Sequence, residues 1–165
     1  MIDVYHGTSD SNYKKIMEEG LILGTSFNHG KKHGDAIYAT TRKHWANKFG
    51  SNVITFHVNT DHFLYIKDDD YAKLYDCFTN EYVQPYETMS AYVYHKQFDK
   101  IHNLTVDNNR KKIQSFIRDT EFQIGILLKE MLTSKGYKGI VIESEDSQGP
   151  FFDLTIYDLS CIIMR

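Results

Sequence analysis

The stretch VYHGTSDSNYKKIMEEG at residues 4–20 decides how the fold begins. A short apolar run ends at His6, turns through Gly-Thr-Ser and continues into an amphipathic segment that stops at Gly20. This pattern predicts a strand over residues 2–5, followed by a helix that is capped within residues 8–10 and ends at Gly20. A histidine at the mouth of a strand can serve the fold or a ligand, so its role depends on the rest of the chain.

Length, charge and cysteine content restrict the class of protein. The 165 residues predict a single domain over residues 1–165. The chain has 19 basic and 22 acidic residues and a net charge of −3, which argues against a nucleic-acid coat protein or a polybasic membrane binder. Cys77 and Cys161 lie far apart and outside any CxxC motif, as expected in a reducing compartment. Because the chain has no apolar run of roughly 18 residues, we expect a cytoplasmic protein, in its producer or in a target host cell, with no membrane partner.

Periodicity along the chain predicts an α+β fold, with strands early and late and helices between them. Residues 53–58 read VITFHV, a run typical of a strand, while apolar residues recur at helical spacing through residues 120–134. The polar stretch at residues 143–149 predicts a loop between two late strands. The other predicted elements are strands over residues 36–40, 139–142, 151–157 and 161–164, helices over residues 42–49 and 68–78, and a loop over residues 21–35.

Three polar side chains stand in strands that otherwise read as apolar: His6, Tyr38 and Asp153. Alternation along its strand directs Asp153 away from the most apolar face, so we expect its carboxylate to face a cleft. Glu143 and Glu145 are rival carboxylates, but they fall in the predicted polar loop, where solvated charges are usual. Asp153 is therefore preferred as the acidic residue of a site.

Four segments of the chain stand in the order and at the spacing of a known family. They are YHGT at residues 5–8, GDAIYAT at 34–40, GYKGIV at 136–141 and DLTIYDLSCI at 153–162. In these segments the chain resembles the ADP-ribosyltransferases of the diphtheria-toxin and poly(ADP-ribose) polymerase type, whose signature is a His, a Tyr and a Glu on three strands. The resemblance implies an ADP-ribosyltransferase-like split β-sandwich with flanking helices, in which NAD lies as co-substrate in the cleft between two small sheets.

The resemblance also implies a role for each matching residue. His6 would hydrogen-bond a ribose hydroxyl, and the backbone N–H and C=O of Gly7 would hold the nicotinamide carboxamide. Tyr38 would pack along the nicotinamide, and Asp153 would offset the positive charge that develops on the ribose. The implied catalytic residues are thus His6, Tyr38 and Asp153. The implied NAD-binding residues come from the first motif and from the rings in and after the second, namely His6, Gly7, Thr8, Tyr38, Trp45 and Phe49.

Two positions depart from the family pattern. Asp153 stands where the family usually has glutamate, so its carboxylate reaches one methylene less far. Ala46 stands near the position at which some members grip the amide with a serine. The resemblance implies an NAD-dependent mono-ADP-ribosyltransferase, a toxin or effector, that modifies a macromolecule and releases nicotinamide, with a protein favoured over a nucleic acid as acceptor. The alternative is a catalytically inactive module of the same fold that binds NAD or ADP-ribose.

Other kinds of site find less support in the sequence. Lys31, Lys32, His29 and His33 lie in a glycine-rich loop, where they could either meet a pyrophosphate or be solvated. The two histidines are spaced like a helical metal pair, but neighbouring glycines argue against a helix and no third ligand is evident, so no metal is predicted. The GxxxxGK[ST] and GxSxG motifs are absent. An enzyme that transfers an RNA 2′-phosphate to NAD is expected to need several basic residues in the cleft, and the sequence offers one Lys-Lys pair. This alternative is therefore less favoured.

Overall fold

The structure is a computed structural model that describes residues 1–23, 33–67 and 125–164. The chain divides into two compact units. One comprises Met1–Thr25, Asp35–Asp68 and Leu132–Arg165, and the other comprises Ser26–Gly34 and Asp69–Met131. The first unit contains every described strand and all of the implied catalytic residues. That the whole chain forms one domain stays a prediction.

Seven described strands form one mixed sheet in the first unit. They are β1 (Ile2–Thr8), β2 (Ile37–Thr40), β3 (Asn52–Val58), β4 (Phe63–Lys67), β5 (Gly139–Asp146), β6 (Gly149–Ile156) and β7 (Ile162–Met164). Their order across the sheet is β4-β5-β6-β2-β1-β3-β7, and every neighbouring pair is antiparallel except the parallel pair of β4 and β5. With the helices described below, this sheet confirms the α+β class.

The first helix forms where the sequence predicts it. Helix α1 spans Asp10–Glu19, and the Ser9 hydroxyl caps it by accepting the Asn12 N–H at 3.4 Å. Gly20 ends the helix with a φ of 84°, a conformation that other residues adopt at a cost. The strand is longer than predicted, because β1 continues through His6 and Gly7 to Thr8, where a turn was expected, and α1 follows after Ser9 alone.

The later helical predictions hold in part. Helix α2 covers only Lys43–Ala46, and a 3₁₀ turn over Asn47–Phe49 completes the segment that was predicted as one helix. Residues 125–134 are helical, with Leu128 and Leu132 buried, but Leu127 is 44% exposed. The helix predicted over residues 68–78 lies outside the described residues, as does most of the loop predicted over residues 21–35.

The core lies on one face of the sheet. Alternation sends Val4 of β1, Phe56 of β3 and Ile156 of β6 to this face, and all three side chains are fully buried. Tyr13 and Ile16 of α1 pack against it. This face thus holds the hydrophobic core cluster, and the opposite face carries Tyr38 and Asp153 together with the buried side chains of Ile140 and Phe151.

The predicted loop over residues 143–149 is wrong. Strand β5 continues to Asp146 and pairs with β6 down to Gly149, so only two residues remain for the turn. Glu143 and Glu145 consequently lie on a strand, opposite residues of β6, with exposed side chains. The polar composition misled the prediction because outward-facing strand positions are polar too. Strand β4 was not predicted, and a 3₁₀ turn over Leu159–Cys161 delays the last strand by one residue.

Candidate functional site at the seam between β1 and β2

The candidate site lies where β1 and β2 part. Residues 37–40 of β2 could face residues 8–5 of β1 in four pairs, but only the pair of Tyr5 with Thr40 forms. On its other side, β1 pairs with β3 at all seven of its residues. The gap between residues 6–8 of β1 and residues 37–39 of β2 is named the seam here.

Ladder bonds show which backbone groups of β2 face the seam. The Thr41 N–H donates to the Phe152 carbonyl at 2.9 Å, in register with the pairing of β2 and β6. Backbone groups of an antiparallel strand alternate between its two neighbours. The N–H and C=O of Tyr38 therefore point away from β6 and toward β1.

The same reasoning applies to β1 from its other side. The Asn59 N–H donates to the Cys161 carbonyl at 2.9 Å, so the backbone of Asn59 faces β7. Ile54 is five positions away, an odd number, and its backbone N–H and C=O therefore face β1. Ile54 is paired with His6, so the His6 backbone bonds toward β3 and the next residue, Gly7, turns its N–H and C=O toward the seam. The pair of bonds that would join Gly7 to Tyr38 in a continued ladder is not formed.

The His6 side chain occupies part of the seam. Its Nδ1 lies 2.7 Å from the Tyr38 carbonyl oxygen. Because a carbonyl oxygen only accepts, Nδ1 carries the proton and donates. Burial lowers the pKa of His6, although the bond to Tyr38 works in the opposite direction. The neutral imidazole then leaves Nε2 as an acceptor suited to a hydroxyl group.

Gly7 is covered by the segment that follows β2. A Cβ at this position would lie 1.8 Å from the Ala46 carbonyl oxygen and 3.3 Å from the Phe49 Cβ. The missing side chain is therefore required by packing of α2, whatever a ligand requires. The Phe49 ring is 74% exposed beside this contact, so it is available to stack on a bound ring.

Tyr38 and Asp153 share the face of the sheet opposite the core. Tyr38 is paired with Thr155 and Thr40 with Asp153, which puts all four side chains on one face. By alternation, His6 belongs to the other face with Ile54, and its ring reaches the seam through its bond to Tyr38. Thus the three implied catalytic residues lie on three adjacent strands, two on a shared face and the third in the gap.

Two of the implied NAD-binding residues lie in other surroundings. Trp45 stacks on Phe151 with 5.9 Å between ring centroids and donates its indole N–H to Asp146 at 3.0 Å. Thr8 is only 4% exposed, and Gly50 packs against its carbonyl oxygen. Of the two candidate stacking rings, Phe49 is the one that borders Gly7.

Two further residues join Asp153 in the structure. Tyr5, Thr40 and Asp153 form a row across β1, β2 and β6 on the face opposite the core. Sequence analysis missed Tyr5 and Thr40 as site residues, although both lie inside the quoted motifs. Their alternation with buried neighbours was the available signal, but the register that lines them up with Asp153 is not a local property.

The described residues include one cysteine and no cluster of metal-ligating side chains. Within residues 1–23, 33–67 and 125–164, no group of three or more His, Cys, Asp or Glu side chains could hold a metal ion. Over the same ranges, no helix has the length and apolarity needed to cross a membrane. Cys161 is a buried free thiol whose pKa is raised by burial, which does not suit a nucleophile. Cys77, His29 and both lysines of the Lys31–Lys32 pair lie outside the described residues.

Comparison of the chain with protein-family models, with curated proteins and with solved structures finds no match.

Proposed function

We propose that the protein is an NAD-dependent mono-ADP-ribosyltransferase with its site at the seam, built on an ADP-ribosyltransferase-like split β-sandwich. The parting of β1 from β2 beside His6 carries this proposal, because it turns the Gly7 backbone and a neutral imidazole toward one gap. A carboxamide needs one donor and one acceptor, which a single backbone residue supplies. Asp153 lies on β6, the neighbour of β2 on the side away from the gap, and its carboxylate shares a face of the sheet with Tyr38.

In the proposed reaction, the bond from ribose C1′ to the nicotinamide nitrogen breaks, and nicotinamide leaves with the electron pair. The ribose passes through a cationic, oxocarbenium-like state. Asp153 offsets that charge, while Nε2 of His6 accepts a hydrogen bond from a ribose hydroxyl. A nucleophile of the acceptor, a protein side chain in preference to a nucleic acid, then bonds to C1′ and loses its proton. Tyr38 and Phe49 flank the departing ring in this scheme.

The test is release of nicotinamide from NAD by the purified chain, with and without a lysate as the source of acceptors. Labelled NAD should be incorporated into an acceptor, and His6→Ala should abolish both signals. His57→Asn is the matched control, since His57 lies on β3 with its Nδ1 against the Asp3 carboxylate and away from the seam. If nicotinamide is released under no condition, the transferase assignment is wrong.

A module that binds NAD or ADP-ribose without turnover is the second candidate. The shorter carboxylate of Asp153 and the presence of Ala46 in place of a serine hydroxyl are the two features that are compatible with it. Calorimetric titration with NAD and with ADP-ribose separates the two candidates. Binding without nicotinamide release, unchanged by Asp153→Glu, would support the module, whereas a gain of turnover in Asp153→Glu would support a transferase limited by the reach of its carboxylate.

A further inference from the structure

Helix α2 depends on contacts outside itself for its position. It is four residues long, and its N-cap residue Arg42 makes no side-chain cap. A single helical turn fixes several backbone dihedrals for little hydrogen bonding, so it is unstable in isolation. Yet the Ala46 carbonyl and the Phe49 Cβ lie directly against Gly7 in the seam. Other parts of the structure must therefore hold α2 in place.

The Arg42 side chain provides that support, because it joins α2 to the end of the β5–β6 hairpin at residues 146–151. The Arg42 side chain is 16% exposed, and its guanidinium reaches the last residue of β5, the two-residue turn and the first residues of β6 at once. The contacts are Gln148 Oε1 at 3.1 Å, the Gly149 carbonyl at 2.7 Å, the Pro150 carbonyl at 3.0 Å, the Asp146 carboxylate at 3.4 Å and the Phe151 ring at 5.3 Å from its centroid. A planar fork of donors suits this arrangement, and an ammonium group does not.

Trp45 joins α2 to the same end of the β5–β6 hairpin. Its indole N–H donates to Asp146, whose other carboxylate oxygen accepts the Gln148 N–H at 2.8 Å and meets the Arg42 guanidinium. These bonds, that of Trp45 foremost, lower the pKa of Asp146, so the carboxylate is ionised at neutral pH. Arg42, Trp45 and Asp146 are together named the clasp.

The clasp lies between two elements that border the seam. On one side is α2 with its 3₁₀ turn, which places Ala46 and Phe49 against Gly7. On the other is β6, which begins at Gly149, whose carbonyl accepts a hydrogen bond from Arg42, and carries Asp153 further along. We propose that Arg42 is a positioning residue that fixes α2 relative to β6 and thereby sets the width of the seam. The consequence for NAD depends on the proposed function.

Two substitutions of Arg42 and one matched control test this proposal. Arg42→Gln removes the planar set of guanidinium N–H donors and the positive charge, and Arg42→Lys keeps the charge without that set of donors. Lys43→Gln removes one positive charge from an exposed position on the same helix. Trp45 is the single tryptophan of the chain, so the tryptophan fluorescence of the protein comes from a member of the clasp.

In both Arg42 variants we expect Trp45 emission to move to longer wavelength and acrylamide quenching to rise, with no change in Lys43→Gln. The amide resonances of Gly7, Phe49 and Asp153 should shift in the same two variants. For an active protein, kcat for nicotinamide release should fall roughly 10- to 100-fold, while KM changes less than about threefold. For a binding module, the Kd for NAD should rise instead.

The outcomes separate the positioning role from the proposed function. If the wild type neither binds NAD nor releases nicotinamide, the proposed function fails, and the shifts at Gly7 and Asp153 still decide the role of Arg42. If only resonances of the β5–β6 turn shift, Arg42 stabilises the turn and the positioning role is wrong. Full recovery in Arg42→Lys would also overturn it, because charge alone would then suffice. An equal loss of melting temperature and activity in Lys43→Gln would count against it in the same way.

Discussion

The two edges of β1 differ sharply. Toward β3 all seven residues are paired, whereas toward β2 one pair forms. Both edges carry backbone donors and acceptors, so the difference lies in the side chains. Val4 and Phe56 are paired across the edge toward β3, and both are fully buried. At the edge toward β2, the His6 imidazole donates a hydrogen bond to the Tyr38 carbonyl. One strand can thus be paired along its whole length with one neighbour and at a single residue with the other.

The largest expected loss of stability comes from disrupting the fully paired edge between β1 and β3, which is called the anchored edge here; the edge of β1 toward β2 is called the open edge. Phe56→Ala removes a fully buried ring that faces Val4, and we expect a loss of about 3–5 kcal/mol in the free energy of unfolding. Urea denaturation followed by circular dichroism measures it. Phe49→Ala is the aromatic control, with an exposed ring and an expected change within about 0.5 kcal/mol. Equal losses in the two variants would mean that the anchored edge is no stronger than the open one.

The next effect should come from crowding the open edge. In Gly7→Ala the new methyl group would overlap the Ala46 carbonyl, and we expect a loss of about 3 kcal/mol together with a red shift of Trp45 emission. Gly20→Ala is the control, because Gly20 has a φ of 84° with no atom near its Cβ position. It should lose about 1 kcal/mol through backbone strain alone, with unchanged fluorescence. A Gly7→Ala protein with normal stability would show that α2 does not press on the seam.

The pH dependence of stability tests the role of His6 at the edge of β1 that faces β2. Burial lowers the pKa of His6 in the folded state, so the unfolded chain binds this proton more readily. The contribution of neutral His6 is therefore present above its unfolded pKa of about 6.5 and is lost as pH falls through the lower folded value. Urea midpoints between pH 8 and pH 5 should decline in the wild type and less in His6→Asn, which keeps a donor for the Tyr38 carbonyl. An identical decline in both proteins would remove His6 from the explanation.

The smallest effect is expected at the far end of the fully paired strands β5 and β6. Asp158 accepts the Ser160 N–H at 2.9 Å and meets the Lys138 ammonium at 3.0 Å, and these contacts, those of Ser160 foremost, lower its pKa to about 2. Its contribution is present above about pH 4 and is lost as pH falls toward 2. Because the pair is solvent-exposed, Asp158→Asn should cost less than about 1 kcal/mol at pH 7. Acid denaturation of the variant should show a shallower slope in that range than in Lys138→Gln, where Ser160 still bonds the carboxylate.

The sequence predicted the locally determined elements well. The Ser9 cap, the stop at Gly20 and the strand β3 all follow from residues within a few positions of each other. The alternation that separates Asp153 from Leu154 was predicted too, and Leu154 is buried in the core. Failures occurred where a partner strand decides the outcome. The predicted loop at residues 143–149 became strand because β6 was there to pair with it.

For the candidate site, the sequence indicated the residues but not their arrangement. It singled out His6, Gly7, Tyr38, Phe49 and Asp153, and it could not foresee that Ala46 covers Gly7. Trp45 looked like a stacking ring for a ligand, yet its N–H and its ring are engaged by the turn between β5 and β6. Contacts of this kind depend on how α2 is oriented, and no short motif encodes that orientation.

What the sequence alone determined is therefore the order of the motifs, a cap for α1 within residues 8–10 with its stop at Gly20, and the alternation of faces in β2 and β6. These properties follow from backbone periodicity and from neighbours along the chain. Only the tertiary structure decided that β1 parts from β2, that His6 turns to a carbonyl 32 positions away, and that α2 presses on Gly7. The physical reason is that strand register and helix placement are set by contacts between distant residues, whose free energies are shared across the whole fold.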